Sequence, residues 1–447
     1  MHRGATDALC VKDFYGLCNG DIEHIEVYMS GGSNILFVHQ EFPSQFVFIA
    51  EELVRRGDNV IAIAGTWADD FIGVDVRRWS LSRNSTPGIL DSALKTEYDF
   101  ILAGAAAEAA RRLKSEGFYP DIIVAHPGWG ETLFLKEVFP RTPQILLSEF
   151  FYRSRGQCLD FDPEFDSENF TAQTLSVTKN ATVTLASSFA DRIIVPTPFQ
   201  ASGFPPLYAP IIKVHHEGVD FERAKRKPNA EVTLPGGRKL DSSKPVITFI
   251  NRTFERLRGF HIFMRALPSL LAAVPDVEII LVGSDIGSLY GAEPPDGGTW
   301  KGFMLSELRE KIDSDRVHFI GHISHERLID VLSISWGHVY YTYPFALSWS
   351  LLEAMGCECL ILGSDTAPVR DAVTHGVNGI LQDFFDVDGL SRSMIHACQE
   401  PEKFHHLRTA ARASALAKFD RATVGVPGWI REIDRILAGR SDTTQTF

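Results

Sequence analysis

The sequence has 447 residues, of which 45% are apolar and 23% charged, a composition typical of globular rather than disordered proteins. This length exceeds one ordinary domain and fits two domains of moderate size. The formal net charge of -13 argues against nucleic acid as the main partner, because a phosphate backbone requires a basic surface. No apolar run reaches the ~20 residues of a transmembrane helix, and no signal peptide is recognisable. We therefore expect a soluble, cytoplasmic protein.

The six cysteines are scattered along the chain. Cys357 and Cys359 are spaced too tightly for a zinc knuckle, and no second pair accompanies them. We therefore expect buried free thiols in a protein of a reducing compartment.

The first 30 residues show no hydrophobic periodicity, and Met29 stands where a start codon would be expected. We therefore predict a poorly ordered N-terminal extension over residues 1–30. A further hypothesis is that residues 1–28 are an added leader or a mis-assigned start and contribute nothing to the fold.

From residue 35 onward, short apolar runs alternate with segments of helical periodicity. Continuous apolar runs are typical of parallel strands that are covered on both faces. The predicted strands are 35–38, 59–64, 121–125, 144–147, 192–196, 245–250, 277–283, 317–321, 339–341, 359–363 and 378–381. The predicted helices are 45–56, 105–116, 133–139, 170–190, 259–273, 325–334, one beginning at 348–350, 387–399 and 429–437.

This alternation restarts after a region rich in Lys, Arg, Pro and Gly, which indicates a linker. We therefore predict two Rossmann-like α/β domains that face each other across a cleft. The predicted N-terminal domain covers residues 31–212, the linker region 213–244, the C-terminal domain 245–425, and a C-terminal helix and tail 426–447.

Polar residues follow the carboxyl ends of the predicted strands, which is where open parallel sheets bind ligands. Six strand ends of this kind, all at the same two sheet edges, indicate a functional site. They carry His39, His126 with Glu131, Glu149, Arg252 with Arg258, Ser284, and the stretch from Tyr341 to Gly356.

The stretch Tyr341–Gly356 reads as the end of a strand, a tight loop and the start of a helix. The N-terminus of a helix offers unpaired N–H groups to a phosphate or to sugar hydroxyls. Ser350 and Glu353 also have the spacing of a capping box, in which the glutamate binds its own helix. From these residues alone, Glu353 is either a cap or a ligand contact.

Arg252 and Arg258 flank a loop that precedes a helix, and guanidinium groups match the oxygens of a diphosphate. The alternative is a surface pair of arginines neutralised by Glu255. His126, which precedes Pro-Gly, is either a ligand contact or a hydrogen-bonded loop histidine without chemistry.

Asp160 and Asp162 form an Asp-x-Asp pattern that could bind Mg²⁺ or Mn²⁺. The alternative is that these carboxylates precede a long helix and interact favourably with its dipole.

Taken together, these motifs resemble the two-domain GT-B glycosyltransferases of family four, often called group one, over about residues 33 to 438. In the second half the resemblance rests on Asn251-Arg252, Arg258-Gly259-Phe260, Ile280–Gly283, Val317–Gly321, Leu351–Gly356 and Gly376–Leu381. The first half looks like a bacterial subgroup that carries His126-Pro-Gly-Trp-Gly-Glu131, Glu149-Phe-Phe-Tyr152 and Phe161-Asp-Pro-Glu164.

The resemblance implies transfer of a sugar from a nucleotide-sugar donor with retention of configuration, without a metal or other cofactor. Arg252 would bind the donor phosphate, Arg258 stands about where the family has a lysine, and His126 would contact the donor sugar. Glu353 matches the second glutamate of the family's Glu-x7-Glu motif, which holds the donor ribose. Further expected contacts are Phe345, Ala346, Leu347, Ser284, His322 and Leu352 on the donor side, and His39, Glu131 and Glu149 on the acceptor side.

The sequence departs from the family at Phe345, where the first glutamate of that motif would stand. A phenylalanine cannot act as a nucleophile, which excludes double displacement through this position and favours a front-face route. Backbone N–H groups of residues 345–347 could still hold sugar hydroxyls. The expected acceptor is a hydroxyl of a polysaccharide, glycolipid or glycoprotein sugar. Two alternatives remain: a nucleotide-sugar-binding protein without transfer activity, and another GT-B enzyme such as an epimerase or phosphorylase.

Overall fold

The computed structural model describes residues 32–165 and 170–443, which form two compact units. The first unit contains the described parts of His24–Asp220 and Lys418–Phe447, together with Pro344–Leu347. The second unit contains Phe221–Tyr343 and Ser348–Ala417. The predicted N-terminal extension, residues 1–30, lies outside the described residues.

The first unit is built on a sheet of seven parallel strands, in the order β3-β2-β1-β4-β5-β6-β7. The central strands are fully buried apolar runs because helices cover both faces of the sheet. The strands are β1 (Asn34–Val38), β2 (Asn59–Gly65), β3 (Asp75–Trp79), β4 (Ile122–Ala125), β5 (Gln144–Leu147), β6 (Arg192–Val195) and β7 (Ile212–Val214). The helices are α1 (Val47–Arg55), α2 (Asp91–Ser115), α3 (Leu135–Val138), α4 (Phe170–Thr178), α5 (Asn180–Ser187) and α6 (Pro198–Ser202).

The second unit contains a sheet of six parallel strands, in the order β12-β11-β10-β13-β14-β15, and a two-stranded antiparallel pair β8-β9. The strands are β8 (Val232–Thr233), β9 (Lys239–Leu240), β10 (Val246–Thr253), β11 (Glu278–Ser284), β12 (Val317–Phe319), β13 (Gly337–Tyr340), β14 (Ile361–Ser364) and β15 (Ile380–Gln382). The helices are α7 (Phe260–Ala273), α8 (Trp300–Glu307), α9 (His325–Ile334), α10 (Trp349–Gly356), α11 (Ala367–Arg370), α12 (Val387–Gln399) and α13 (His405–Phe419).

Side chains of β1 alternate between two cores of the first unit, as the period of two along a strand requires. Leu36 and Val38 pack with the buried face of α2, whereas Ile35 and Phe37 pack with α1. The terminal helix α14 (Val426–Thr443) completes this second core by burying Trp429 and other apolar side chains. The chain therefore returns to the first unit after it has built the second.

The predicted and the observed elements of the first unit differ at several places. Strand β3 was not predicted, because its sequence Asp-Val-Arg-Arg-Trp is polar and lies at the sheet edge. The helix predicted over 170–190 is two helices, α4 and α5, separated at Lys179. The helix predicted over 105–116 is the end of the much longer α2.

The region 213–244, predicted as a linker, contains short strands. Its first residues belong to β7 of the first sheet, and β8 and β9 lie further along. Val219, Phe221 and Ala224 are buried, although the surrounding sequence is basic and rich in turn residues. Apolar side chains spaced among polar ones thus attach this region to the fold.

The predicted fold class is confirmed, since the chain is an α/β protein with two mainly helix-covered parallel sheets. The strand directions follow from the long connections, because parallel neighbours require a crossover that is usually helical.

Candidate active site

In each of the two parallel sheets, the strand order reverses at one point. Starting at β1, successive strands are added toward one edge of the first sheet, and starting at β4 they are added toward the other edge. In the second sheet the same change of direction occurs between β10 and β13. The loops that leave neighbouring strands there diverge and leave a crevice, which is where open α/β sheets bind ligands. His39 and His126 follow β1 and β4, whereas Arg258 and the loop after Tyr341 follow β10 and β13.

In the first unit, the reversal point brings together two predicted histidines and a tryptophan. The ring centroids of His39 and His126 are 5.5 Å apart, and Trp129 stacks on His126 at 4.3 Å. Trp129 also meets His39 edge-on at 4.9 Å. The three rings therefore form one aromatic group at the carboxyl edge of the sheet.

Three histidines of this unit share one hydrogen-bonding pattern. The backbone N–H two residues later donates to Nδ1 of His39 (3.0 Å), of His126 (3.1 Å) and of His216 (3.0 Å). A ring nitrogen that accepts carries no proton, so the neutral rings bear their proton on Nε2. Burial lowers the pKa of His39 well below its usual value and that of His216 to about 4.

Glu149 follows β5 and lies beside these imidazoles. Its Oε2 is 3.3 Å from Nε2 of His126, and its side chain is 37% exposed. Burial raises the pKa of Glu149, but hydrogen bonds from His126 and Gln45 and Coulombic interaction with the two imidazoles outweigh it, so the net shift is downward. Gln200 donates to its backbone carbonyl at 2.5 Å. Glu149 is thus an anionic, partly exposed carboxylate that accepts hydrogen bonds from His126 and Gln45.

Glu131 lies beneath this edge rather than on it. Its side chain is 1% exposed and both carboxylate oxygens are buried without a hydrogen-bond partner in the described structure. Burial raises the pKa of Glu131 to about 8, so the group is mainly a neutral acid at pH 7. The prediction that it faces an acceptor stays a prediction, but its carboxyl group does not reach the surface.

Helix α2 holds the loop between His126 and Glu131. Lys95 donates to the carbonyl of Gly128 at 2.9 Å and to Asp99 at 2.5 Å. Gly130 has a φ of +95°, and a Cβ there would lie 2.3 Å from the backbone oxygen of Asp99. The loop therefore approaches α2 so closely that only glycine fits at this position.

In the second unit, the reversal point carries the two predicted arginines. Arg252 lies at the end of β10 and is exposed, whereas Arg258 is half-buried in a single 3₁₀ turn before α7. Nη1 of Arg258 donates to the hydroxyl of Thr342 at 3.0 Å and lies 3.5 Å from that of Tyr340. Both contacts come from the end of β13 and its loop, so Arg258 is fixed at the crevice.

Gly259 allows this arrangement. Its φ is +70°, and a Cβ would lie 2.3 Å from Cβ of Tyr341. The turn that carries Arg258 can therefore pack directly against the end of β13.

The stretch from Tyr341 to Gly356 forms the predicted loop and helix, but not the capping box. Ser348 caps α10 by accepting from the N–H of Ser350, and its own N–H donates to the hydroxyl of Tyr340 at 2.9 Å. Glu353 instead lies 2.7 Å from Nε2 of His325, with both side chains 5% exposed. The cap interpretation of Glu353 is therefore wrong, because a tertiary partner occupies its carboxylate.

Glu255 organises the loop that follows β11. It accepts from the hydroxyl of Ser288 at 2.8 Å and from the N–H groups of Tyr290 (3.1 Å) and Gly291 (2.9 Å). Ser284 ends β11 and His322 follows β12, so both lie at the carboxyl edge of the second sheet. Both are half-buried, whereas the side chain of Leu352 is fully buried in the core.

The predicted donor contacts Phe345, Ala346 and Leu347 group with the first unit. The ring centroid of Phe345 lies 4.9 Å from that of Phe150, which follows Glu149 in the chain. The substitution of the expected glutamate by Phe345 thus has a structural role in an aromatic contact.

The Asp-x-Asp pattern is engaged in local turns. Oδ1 of Asp160 accepts from the N–H of Gly156 at 2.9 Å, and Oδ1 of Asp162 accepts from that of Glu164 at 3.0 Å. Within residues 32–165 and 170–443, no three His, Cys, Asp or Glu side chains are grouped as a metal site would require.

Cys357, Cys359 and Cys398 are buried free thiols, as predicted, and Cys158 is half-buried.

Three residues near these edges were missed from the sequence. His216 follows β7, which was assigned to the linker, so the rule that ligands bind beyond strand ends was not applied to it. His325 begins α9, a helix that was predicted without a site residue, and Gln45 precedes α1. No local signal marks His325, since its partner lies 28 residues away.

No described helix is long and apolar enough to cross a membrane.

Comparison with known proteins matches each half of the chain to a family model of glycosyl transferases. A model described as glycosyl transferase family 4 group matches residues 56–224, and one described as glycosyl transferases group 1 matches residues 234–414.

Two curated relatives are similar over part of their length. D-inositol 3-phosphate glycosyltransferase of Mycolicibacterium vanbaalenii is 25% identical over 291 residues, which is 60% of this chain and 60% of that one. Phosphatidyl-myo-inositol mannosyltransferase of Propionibacterium freudenreichii is 26% identical over 185 residues, 40% of this chain and 41% of that one. The chain thus matches less than two thirds of the length of these relatives.

Solved structures share the architecture over nearly the whole chain. Sucrose-phosphate synthase from Thermosynechococcus elongatus has a TM-score of 0.68 at 16% identity and covers 91% of this chain and 100% of its own. HepE of Anabaena, in complex with UDP and glucose, has a TM-score of 0.59 at 20% identity with the same coverage. At these identities the likeness shows the fold. With both halves matched, the chain belongs to the group 1 glycosyltransferases of family 4 and has their GT-B fold.

Proposed function

We propose that this glycosyltransferase moves a sugar from a nucleotide-sugar donor to a hydroxyl acceptor with retention of configuration and without a metal ion. The observation that carries the proposal is the reversal point of the second sheet. There, Arg258 contacts the hydroxyls of Tyr340 and Thr342, and the same Tyr340 hydroxyl accepts from the N–H of Ser348, the N-cap of α10. Arg252 lies at the end of β10, and Glu353 lies in α10. Guanidinium groups and helix N–H groups both favour a diphosphate, and the carboxylate favours a ribose hydroxyl.

In this proposal the bond between the anomeric carbon and the diphosphate oxygen breaks, and the acceptor oxygen bonds to the same face of that carbon. The acceptor proton passes to the departing phosphate. Arg252 and Arg258 stabilise the negative charge that develops on this leaving group, the role that a metal ion has in other transferases. Phe345 supplies no nucleophile, so a front-face route accounts for retention.

The first unit is proposed to contact the sugar and the acceptor. His126 donates its Nε2–H to Glu149 at 3.3 Å, and the partly exposed carboxylate of Glu149 can accept further hydrogen bonds from neutral hydroxyl groups. The two curated relatives are named for transfer to inositol phosphate and phosphatidyl-inositol. We therefore propose a sugar or inositol-type hydroxyl as acceptor, within a polysaccharide, glycolipid or glycoprotein pathway. The buried thiols support a cytoplasmic location.

The test is a thermal-shift screen against UDP-, GDP-, ADP- and dTDP-sugars. A donor at 100 times its Kd stabilises the folded protein by about 2.7 kcal/mol, so we expect one nucleotide class to raise Tm clearly above the others. That donor is then incubated with inositol 3-phosphate, myo-inositol and simple sugars, and products are identified by mass spectrometry and by the anomeric coupling in NMR. No stabilisation by any donor, or a product of inverted configuration, would contradict the proposal.

A second candidate is a nucleotide-sugar-binding protein without transfer activity. The contact between Phe345 and Phe150 favours it, because an aromatic pair occupies the position where the family has a glutamate. Donor binding by calorimetry, with no product from any acceptor in the panel, would support this candidate. Release of free sugar epimer or sugar phosphate would instead indicate another GT-B enzyme.

A further inference from the structure

One buried histidine–glutamate hydrogen bond of the second unit is not explained by the proposed reaction. His325 is the first residue of α9, and Glu353 lies in α10, 28 residues later. Nε2 of the histidine and Oε1 of the glutamate are 2.7 Å apart, and both side chains are 5% exposed. A carboxylate can only accept hydrogen bonds, so Nε2 carries the proton and donates it. The pair therefore fixes both the histidine tautomer and the carboxylate rotamer.

The pair uses only one of the two carboxylate oxygens. In the described part of the chain, no group donates to Oε2 of Glu353, and this oxygen is not completely sealed from solvent. An incompletely satisfied, nearly buried carboxylate is costly unless a further donor completes it. The geometry thus leaves one oxygen of Glu353 for a hydroxyl or N–H of a ligand.

The backbone of His325 is itself fixed. Ser324 caps α9 by accepting from the N–H of Arg327, which holds the first turn in place. The imidazole therefore reaches Glu353 from a rigid helix start rather than from a flexible loop. A hydrogen-bond donor that is held in this way can orient a neighbouring carboxylate at little entropic cost.

We propose that His325 is a positioning residue that directs Oε2 of Glu353 toward the ribose hydroxyls of the nucleotide donor. This inference rests on the proposed function, and it assigns to His325 a role in recognising the sugar of the nucleotide rather than in the transfer step. A ribose offers two neighbouring hydroxyl donors, whereas a 2′,3′-dideoxyribose offers neither. The effect of His325 must therefore depend on those hydroxyls.

Three substitutions separate this role from simple packing. His325→Leu keeps the volume but removes the donor, so Glu353 is no longer held. His325→Gln places an amide N–H about where Nε2 stands, whereas the shorter His325→Asn cannot reach Oε1. We expect the Leu and Asn variants to bind a ribonucleotide at least tenfold more weakly than the wild type, and the Gln variant to bind within threefold of it.

The matched control is His318→Leu. Nε2 of His318 lies 2.6 Å from Oε2 of Glu278, another histidine–glutamate pair, but Glu278 begins β11, at the end of the strand opposite Ser284. We expect this variant to bind nucleotide within twofold of the wild type. Circular dichroism and thermal unfolding show that each variant is folded before binding is measured.

The experiment is calorimetric titration of the full chain with UDP, GDP or ADP, whichever stabilises the wild type most, and with its 2′,3′-dideoxy analogue. We expect the Leu and Asn variants to bind the ribonucleotide more weakly than the wild type does. For the dideoxy analogue we expect the variants and the wild type to bind with equal affinity. Folded Leu and Asn variants with wild-type affinity, or an equal loss for both nucleotides, would overturn the role of His325 alone. A wild type that binds none of the nucleotides would overturn the proposed function, and this inference with it.

Discussion

At the carboxyl edge of the first sheet the polar groups are imidazoles and carboxylates, whereas at that of the second they are guanidinium groups, hydroxyls and one carboxylate. Both edges have the same topology, with a reversal of strand order at the centre. On the first, His39 and His126 carry their proton on Nε2, and Glu149 is partly exposed. On the second, Arg258 is held by the hydroxyl of Thr342.

This difference suggests which part of a nucleotide-sugar reaction each edge serves. Arginine remains charged at all accessible pH values and suits the anionic diphosphate. The partly exposed carboxylate of Glu149 suits hydroxyl groups, from which it can accept hydrogen bonds. In the proposed reaction, one architecture would thus serve two chemistries through the residues that follow its strands, as expected when function lies in sites rather than in folds.

The largest expected effect comes from the second edge. Arg258→Ala should lower kcat/KM for the best donor by about 100- to 1,000-fold, or about 3 kcal/mol, because a preorganised positive charge is lost where negative charge develops. Arg258→Lys keeps the charge but loses the planar guanidinium group, so its kcat/KM should lie between that of Arg258→Ala and that of the wild type. Steady-state kinetics with the donor and acceptor that the screen selects measure both.

The control for this substitution is Arg265→Ala. Its guanidinium pairs with Glu307 at 2.7 Å, so the variant removes the same charge from an ion pair that is not at the reversal point. We expect less than a threefold change in kcat/KM. Equal effects at both arginines would show that net charge, rather than the position of Arg258, is what matters.

An intermediate effect is expected beneath the first edge, at Glu131. Its folded-state pKa of about 8 exceeds the reference value of 4.5, so the folded protein binds the proton more tightly than the unfolded chain does. The contribution of this group to stability is complete below about pH 4.5 and is lost as the pH rises through about 8, at up to about 1.4 kcal/mol per pH unit. Glu131→Gln should flatten the dependence of the unfolding free energy on pH between 5 and 8 by about 2 kcal/mol or more.

Urea unfolding of the wild type and the variant at several pH values measures this difference. Other groups titrate in the same range, so only the difference between the two curves is interpreted. Glu137→Gln, at an exposed glutamate of the neighbouring helix α3, should leave the curve unchanged. Parallel curves for the wild type and Glu131→Gln would contradict the assignment of Glu131 as a buried neutral acid.

The smallest effect is expected from chelation. EDTA should change the transfer rate by less than twofold, because in the proposed mechanism two arginines, rather than a metal ion, stabilise the negative charge of the leaving group. Asp160→Asn should likewise have little effect, since Asp160 accepts a local backbone N–H that an asparagine oxygen can also accept. A large loss on chelation that Mg²⁺ or Mn²⁺ restores would revive the metal interpretation and remove the contrast between the two edges.

Prediction from sequence succeeded where the pattern was local. Helices α9 and α12 begin and end at the predicted residues, 325–334 and 387–399, because their apolar spacing and flanking residues are clear. Strand β7 was missed because its short, partly exposed sequence Ile-Lys-Val carries no continuous apolar run. With it, His216 was missed as a neighbour of the first edge.

The sequence by itself determined the α/β class, the approximate repeat of two units and the strand ends that carry His126, Glu149 and Arg258. These follow from periodicity and from the rule that ligands bind beyond parallel strands. Only the tertiary structure decided which strands are neighbours, and hence where each reversal point lies. It also decided that Glu353 pairs with His325 rather than caps α10, because a contact across 28 residues leaves no trace in local spacing.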